Sequence, residues 1–239
     1  EAFTSDGGGG AYLGKIAQAN GADIQLPSPL NWGPRDWHNA SVVILSGKGM
    51  GQWRMLEAWK SDHLTLGRSF AIAPDGTSTI TIVPTHLHYI FYRNTFEDAG
   101  VAIQFYGVGI EHVVDQNHLV RAGGIALHAA TYAGGIHPEL YIQVLANQID
   151  EGNTYRTGPA NTIQDGQTTI QLESIAPSGA FGIIFRDNRL DPNSQLKIVG
   201  SSTATDAILL QGEPAATKSK SIVVDPRMSN AVQASSRVQ

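Results

Sequence analysis

The chain has 239 residues and a formal net charge of −5, with no basic block, which excludes the Lys/Arg stripe that nucleic acid demands. Cysteine is absent, so disulfides, cysteine-based zinc sites and a thiol nucleophile are ruled out. No apolar run is long enough to cross a bilayer, and 26 glycines with only 15% charged residues point to β structure rich in turns. The opening Glu1-Ala2-Phe3 carries no signal-peptide pattern and reads as a mature or trimmed terminus.

Residues 1–84 read as a small β-rich module or cap. Gly7 to Gly10 form a turn or linker. Strand-like runs follow at Val42-Val43-Ile44-Leu45, His63-Leu64-Thr65-Leu66 and Thr79-Ile80-Thr81-Ile82. Between them stands Gly47-Lys48-Gly49-Met50-Gly51-Gln52-Trp53-Arg54, and later Pro74-Asp75-Gly76-Thr77-Ser78. The glycine cluster lacks the Gly-Lys-Ser/Thr ending and the following helix of a phosphate loop. The pattern resembles modules of bacterial β-helix proteins and phage tail proteins.

Residues 85–211 carry an internal repeat. Asn94, Asn117, Asn147 and Asn188 stand 23, 30 and 41 residues apart. Three before each stand Phe91, Val114, Val144 and Phe185; two after stand Phe96, Leu119, Ile149 and Leu190. Five before stand Tyr89, His112, Ile142 and Ile183, so His112 alone breaks an apolar set and reads as a core histidine with a buried partner. A second strand follows as Ile103-Gln104-Phe105, Ile125-Ala126-Leu127 and Ile170-Gln171-Leu172. The first repeats share a unit of roughly 22 residues, and later ones hold inserted loops. Such a unit cannot bury its own apolar face, so successive units must stack, with each asparagine forming a ladder at a bend. These residues resemble the parallel β-helix repeat family, the pectate-lyase-like superfamily. The resemblance implies an all-β chain with a right-handed parallel β-helix over residues 85–211 and the module before it. Periodicity fades over residues 212–239, which read as a tail along the solenoid or partly disordered.

Stacking turns equal offsets into columns about 4.8 Å per coil. One holds Tyr106, His128 and Glu173; another holds Thr95, His118, Gln148 and Arg189. A third holds Asp98, Arg121 and Glu151, and a fourth holds Tyr92, Asp115, Leu145 and Arg186. Tyr, His and Glu in one column are capable proton-transfer groups beside an aromatic surface for sugar rings. The Arg121 column reads plainly as an inter-coil salt-bridge ladder and, functionally, as a clamp for a substrate carboxylate. The candidate catalytic residues are therefore His128, Tyr106, Asp115 and Arg121, with His118, Glu151, Glu173 and Tyr155 as substrate contacts. Tyr155 sits in the long stretch Gly152 to Thr168, the usual place for specificity on a rigid scaffold. His86 with His88, and His137 with Glu139, give pairs rather than the three or four ligands a metal needs, and no metal site is assigned. The cofactor is left open.

The family resemblance implies an extracellular or cell-surface carbohydrate-active protein, a polysaccharide lyase or glycoside hydrolase acting along a groove. The adjacent aspartates of polygalacturonases and the calcium-binding acids of pectate lyases have no counterpart here. The alternative is a non-catalytic carbohydrate-binding, adhesin or fibre-type β-helix. Ends without an evident cap point to a homo-oligomer or to part of a longer chain.

Overall fold

The computed structural model describes residues 2–132, 135–152, 170–177, 179–192, 194–205, 207–212 and 222–235. Two bodies of β structure form, a parallel solenoid and an antiparallel sheet, and no α-helix occurs among the described residues.

The solenoid has four faces, each a stack of short parallel strands. Face A stacks Phe3–Ser5, Ile103–Tyr106, Ile125–Tyr132, Ile170–Ser174, Leu196–Gly200 and Ile222–Val224. Face B stacks Thr85–Leu87, Val108–Ile110, Glu139–Leu140 and Ala180–Phe181. Face C runs from Ile90–Tyr92 through Val113–Asp115, Gln143–Leu145, Ile183–Arg186 and Ile208–Gln211 to Val232–Ser235. Face D stacks Thr95–Glu97, His118–Val120, Gln148–Asp150 and Arg189–Leu190. The chain visits A, B, C and D in turn, then rises one rung. The strand-by-strand alternation follows from the pleat. Ile103, Phe105, Ile125, Leu127, Ile170, Leu172, Leu196 and Ile198 are fully buried and fill the interior. Each such side chain contributes about 1.5–3 kcal/mol through burial.

Two devices turn the corners. Non-glycine residues with positive φ, a conformation L side chains rarely adopt, recur in columns. His88, Glu111 and Tyr141 precede face C, and Arg93, Gln116, Ala146 and Asp187 precede face D. Asp98, Arg121 and Glu151 follow face D, all with φ between 48° and 57° as in the other two columns. The second device is the asparagine ladder. Asn147 Oδ1 accepts from the Asn117 backbone N–H at 3.0 Å and from its Nδ2 at 2.9 Å. Asn147 Nδ2 donates to Val114 O at 2.9 Å and to Asn188 Oδ1 at 3.0 Å. Asn94 and Asn117 repeat the bond at 3.0 Å, so every bend is bonded to the next.

The strands Tyr12–Lys15, Thr79–Val83, Ser41–Ser46, Trp53–Lys60, His63–Leu66, Asp23–Gln25 and Gln18–Asn20 form the antiparallel sheet, in that spatial order. Its core is Ile24, Val42, Ile44, Leu56, Leu64, Ile80 and Ile82. Its other side meets face B, where Val43, Leu45 and Val83 pack with Val108, Ile110, Leu140 and Phe181. A hairpin made by Ala130–Tyr132 and Gly135–His137 braces the junction, with the Thr81 hydroxyl donating to Ile136 O at 3.0 Å.

Two segments join the solenoid from outside its repeat. Phe3–Ser5 pairs in parallel with Ile103–Phe105 and forms the first rung of face A. The chain then crosses between the two bodies at Gly7, where an added Cβ would come within 2.6 Å of the Gly107 backbone. Beyond residue 211, Ile222–Val224 pairs with Leu196–Ile198 and Val232–Ser235 pairs with Ile208–Gln211. That stretch adds rungs although its sequence has lost the clear alternation.

Candidate functional site

The outward side of face A carries Tyr106, His128 and Glu173 on successive rungs, paired Tyr106 to His128 and His128 to Glu173. Inward neighbours Phe105, Leu127 and Leu172 are fully buried and hold the three strands in register, which aims the alternate side chains outward. The Tyr106 and His128 rings stack with centroids 4.2 Å apart and planes 16° from parallel. His128 Nδ1 lies 2.9 Å from Glu173 Oε2. That bond, assigned as Nδ1–H donating to the carboxylate, leaves Nε2 as the unprotonated nitrogen, with no hydrogen-bond partner among the described residues. The same bond holds the Glu173 carboxyl below the usual glutamate range, against a smaller upward push from burial. His128 is only 9% exposed, so its imidazole is shielded while joined to the surface. Ser5 closes the top of the column: its Oγ lies 3.1 Å from Tyr106 O and accepts from Tyr106 N at 3.2 Å. An imidazole oriented by a carboxylate and flanked by a phenol brings together groups able to accept and to donate a proton.

The remaining candidates lie elsewhere. Asp115 is on face C between Tyr92 and Leu145, and its Oδ2 accepts from Gln116 Nε2 at 3.3 Å. Arg121 sits at the corner after face D, where Nε donates to Asp98 Oδ1 at 2.7 Å and NH2 bonds Glu97. Glu151 is 3.7 Å from the same guanidinium. Asp98 and Glu97 raise the Arg121 pKa, and the hydrogen bond from Arg121 lowers that of Asp98. The Arg121 column is thus a ladder of ion pairs between rungs. His118 is on face D with Nε2 2.7 Å from Asp150 Oδ2, an oxygen that also accepts from Gln148 Nε2 at 2.6 Å. Those two bonds lower the Asp150 pKa. Tyr155 lies outside the described residues. Face A therefore unites Tyr106, His128 and Glu173, while Asp115, Arg121, Glu151 and His118 occupy other faces and corners.

Inside the solenoid His112 is fully buried, as its break in the apolar set implies. Its Nδ1 accepts from the Tyr89 backbone N–H at 3.1 Å and its ring stacks on Tyr89 at 4.8 Å. Burial lowers its pKa to about 3. Glu139 points inward from face B and is also fully buried; burial pushes its carboxyl well above the glutamate range. Neither Glu139 oxygen, nor His112 Nε2, has a hydrogen-bond partner among the described residues. No group of three His, Asp or Glu side chains comes together in a metal-binding arrangement among the described residues. A hollow of about 340 Å³, away from the repeat and its columns, lies in the antiparallel sheet beside Trp53, Arg54 and Arg68. Its signal was the Trp-Arg pair on one strand and an arginine in the turn opposite it.

No family model and no curated protein matches the chain. Among solved structures it is similar to the tailspike protein gp49 from Pseudomonas phage LKA1, at 9% identity and a TM-score of 0.32. The likeness covers 87% of this chain and 53% of that one, so the chain spans about half the length of that protein.

Proposed function

We propose that the protein is a carbohydrate-active β-helix that holds an acidic polysaccharide across face A and cleaves it by elimination, with His128 as the base. The observation that carries this reading is the Tyr106–His128–Glu173 line. Glu173 fixes the imidazole so that Nε2 faces away from it as the proton acceptor. In the reaction, Nε2 takes the proton α to a uronate carboxylate. The C–H electron pair becomes the new C=C bond, the glycosidic C–O bond breaks, and the leaving oxygen takes a proton from the Tyr106 hydroxyl. Lys197 stands outward on the same face, at the position paired with Gln171. A two-carboxylate hydrolysis has less support. Glu173 is bonded to His128, while Glu97, Asp98 and Glu151 surround Arg121 and Asp150 is bonded to His118. A polysaccharide substrate goes with a secreted or cell-surface location, and the edge strands of the first rung fit a homo-oligomer or a longer chain.

The second reading is a non-catalytic carbohydrate-binding or fibre-type solenoid. It is favoured by Asp115, Arg121 and His118, which stand away from His128 and bond neighbours of their own. A panel of acidic and neutral polysaccharides separates the readings. Elimination gives a rise in unsaturated-uronate absorbance together with new reducing ends, lost in His128→Ala at unchanged far-UV circular dichroism. Reducing ends alone mean hydrolysis and overturn the His128 mechanism. Silence in both assays with retained binding leaves the non-catalytic reading.

A further inference from the structure

We infer that the antiparallel sheet carries a second saccharide site, independent of face A: the cleft beside Trp53, Arg54 and Arg68 takes a sugar bearing a single carboxylate. The cleft has a volume of about 340 Å³ and is also lined by His38, Asn39 and Glu57. A second hollow of about 250 Å³ shares His38 and Asn39 with it.

Charge is the first argument. Arg54 Nε donates to Ser69 O at 2.8 Å and NH1 donates to Trp53 O at 2.6 Å, and its guanidinium lies 5.2 Å from the Phe70 ring centre. These contacts fix the fork but give it no carboxylate partner. Arg68 is exposed and forms no ion pair among the described residues. It stands close enough that its charge adds to burial in lowering the Arg54 pKa. Two guanidiniums that form no ion pair among the described residues line one cleft, on a chain of net charge −5. Such a pair is attracted to an anion and grips a planar carboxylate by its two oxygens.

Chemistry narrows the anion. Glu57 lines the same cleft and forms no ion pair with either arginine among the described residues, so the two arginines outnumber the one carboxylate there by one. One surplus charge suits a monoanion better than a phosphate dianion. Glu57 and Asn39 are acceptors for hydroxyl groups, and the half-buried Trp53 gives an aromatic wall for the apolar side of a pyranose ring. Carboxylate, hydroxyls and a flat apolar side together describe a uronic acid residue. The site is also rigid. The Tyr141 hydroxyl donates to Gly51 O at 2.9 Å, which ties the solenoid to the loop leading into Trp53.

Isothermal titration of the whole chain tests this with three probes: a short oligogalacturonate, its fully methyl-esterified form, and inorganic phosphate. The expected result is binding of the oligogalacturonate alone, weakened about tenfold or more in Arg68→Glu, whose exposed and unbonded side chain makes it safe for folding. The titrations are run in the His128→Ala background, which removes cleavage from the readout, and loss of binding on adding Arg68→Glu there assigns the site to this cleft rather than to face A. Equal binding of phosphate, equal binding of the methyl ester, an unaffected Arg68→Glu, or no binding at all would each overturn the inference.

Discussion

Asn147 shows how one side chain can hold a rung. It accepts two bonds from Asn117 and gives one each to Val114 and Asn188, all in a fully buried bend. Alanine there leaves buried donors and acceptors unpaired on both neighbouring rungs, so Asn147→Ala should cost about 3 kcal/mol in urea denaturation. Asn94, exposed on the first rung, should cost far less. Ala146, one residue earlier, sits at φ 48° where the next rung but one has Gly212 at φ 64°. Its side chain is exposed, so Ala146→Gly should stabilise the fold by about 1 kcal/mol by relieving the left-handed strain. Glu139 and His112 give the interior a pH dependence with two opposite signs. The folded state keeps a proton on Glu139 that the unfolded state releases, so stability falls as pH rises above the ordinary glutamate value. The folded state keeps His112 neutral where the unfolded state is protonated, so stability rises with pH between about 3 and 6.5. Glu139→Gln should therefore raise the melting temperature at neutral pH and flatten its decline toward alkaline pH. An unchanged alkaline limb would mean that Glu139 is solvated.

At the level of the elements, the columns were legible in the sequence because stacking preserves offsets. Tyr106 with His128 and Glu173, and Asp98 with Arg121 and Glu151, follow from counting along the strands, and the pairings agree. Which columns share a face was not legible. Asp115 and Tyr106 look equivalent as outward residues, but a left-handed corner at Glu111 and a turn at Gly107 lie between them and aim them in different directions. Those corners are built from His88, Glu111, Arg93, Gln116 and Arg121, so they lack the glycine signature that marks a turn. The Arg121 column holds rungs together in exposed positions, where ion pairs are worth little. Arg121→Ala should leave the denaturation midpoint almost unmoved and should leave any polysaccharide cleavage intact. A complete loss of cleavage would return Arg121 to the reaction.

Over the whole molecule, the middle of the solenoid was the readable part, since its asparagines and flanking apolar residues repeat. Both ends of face A were not. The strand Phe3–Ser5 lies far in sequence from its partner and carries no alternation long enough to recognise. Ile222–Val224 and Val232–Ser235 are short and half exposed, so their periodicity is weak although their pairing is regular. The Phe3 ring packs on Phe91 at 4.7 Å, on Tyr89 at 5.5 Å and on Phe105 at 6.0 Å, a cluster that seals the first rung. Removing residues 1–6 should expose that cluster, raise binding of a hydrophobic dye and lower the melting temperature, while the antiparallel sheet keeps its circular dichroism.

The same strand imposes an order of events during synthesis. Phe3 is made first, but Ile103, its partner, follows about a hundred residues later. At roughly 5–20 residues per second the strand waits on the order of 5–20 s, in which the antiparallel sheet has all of its own sequence available. Phe3–Ser5 therefore docks only after every strand of the antiparallel sheet has been made, and until Ile103 appears its aromatic ring has no rung to close.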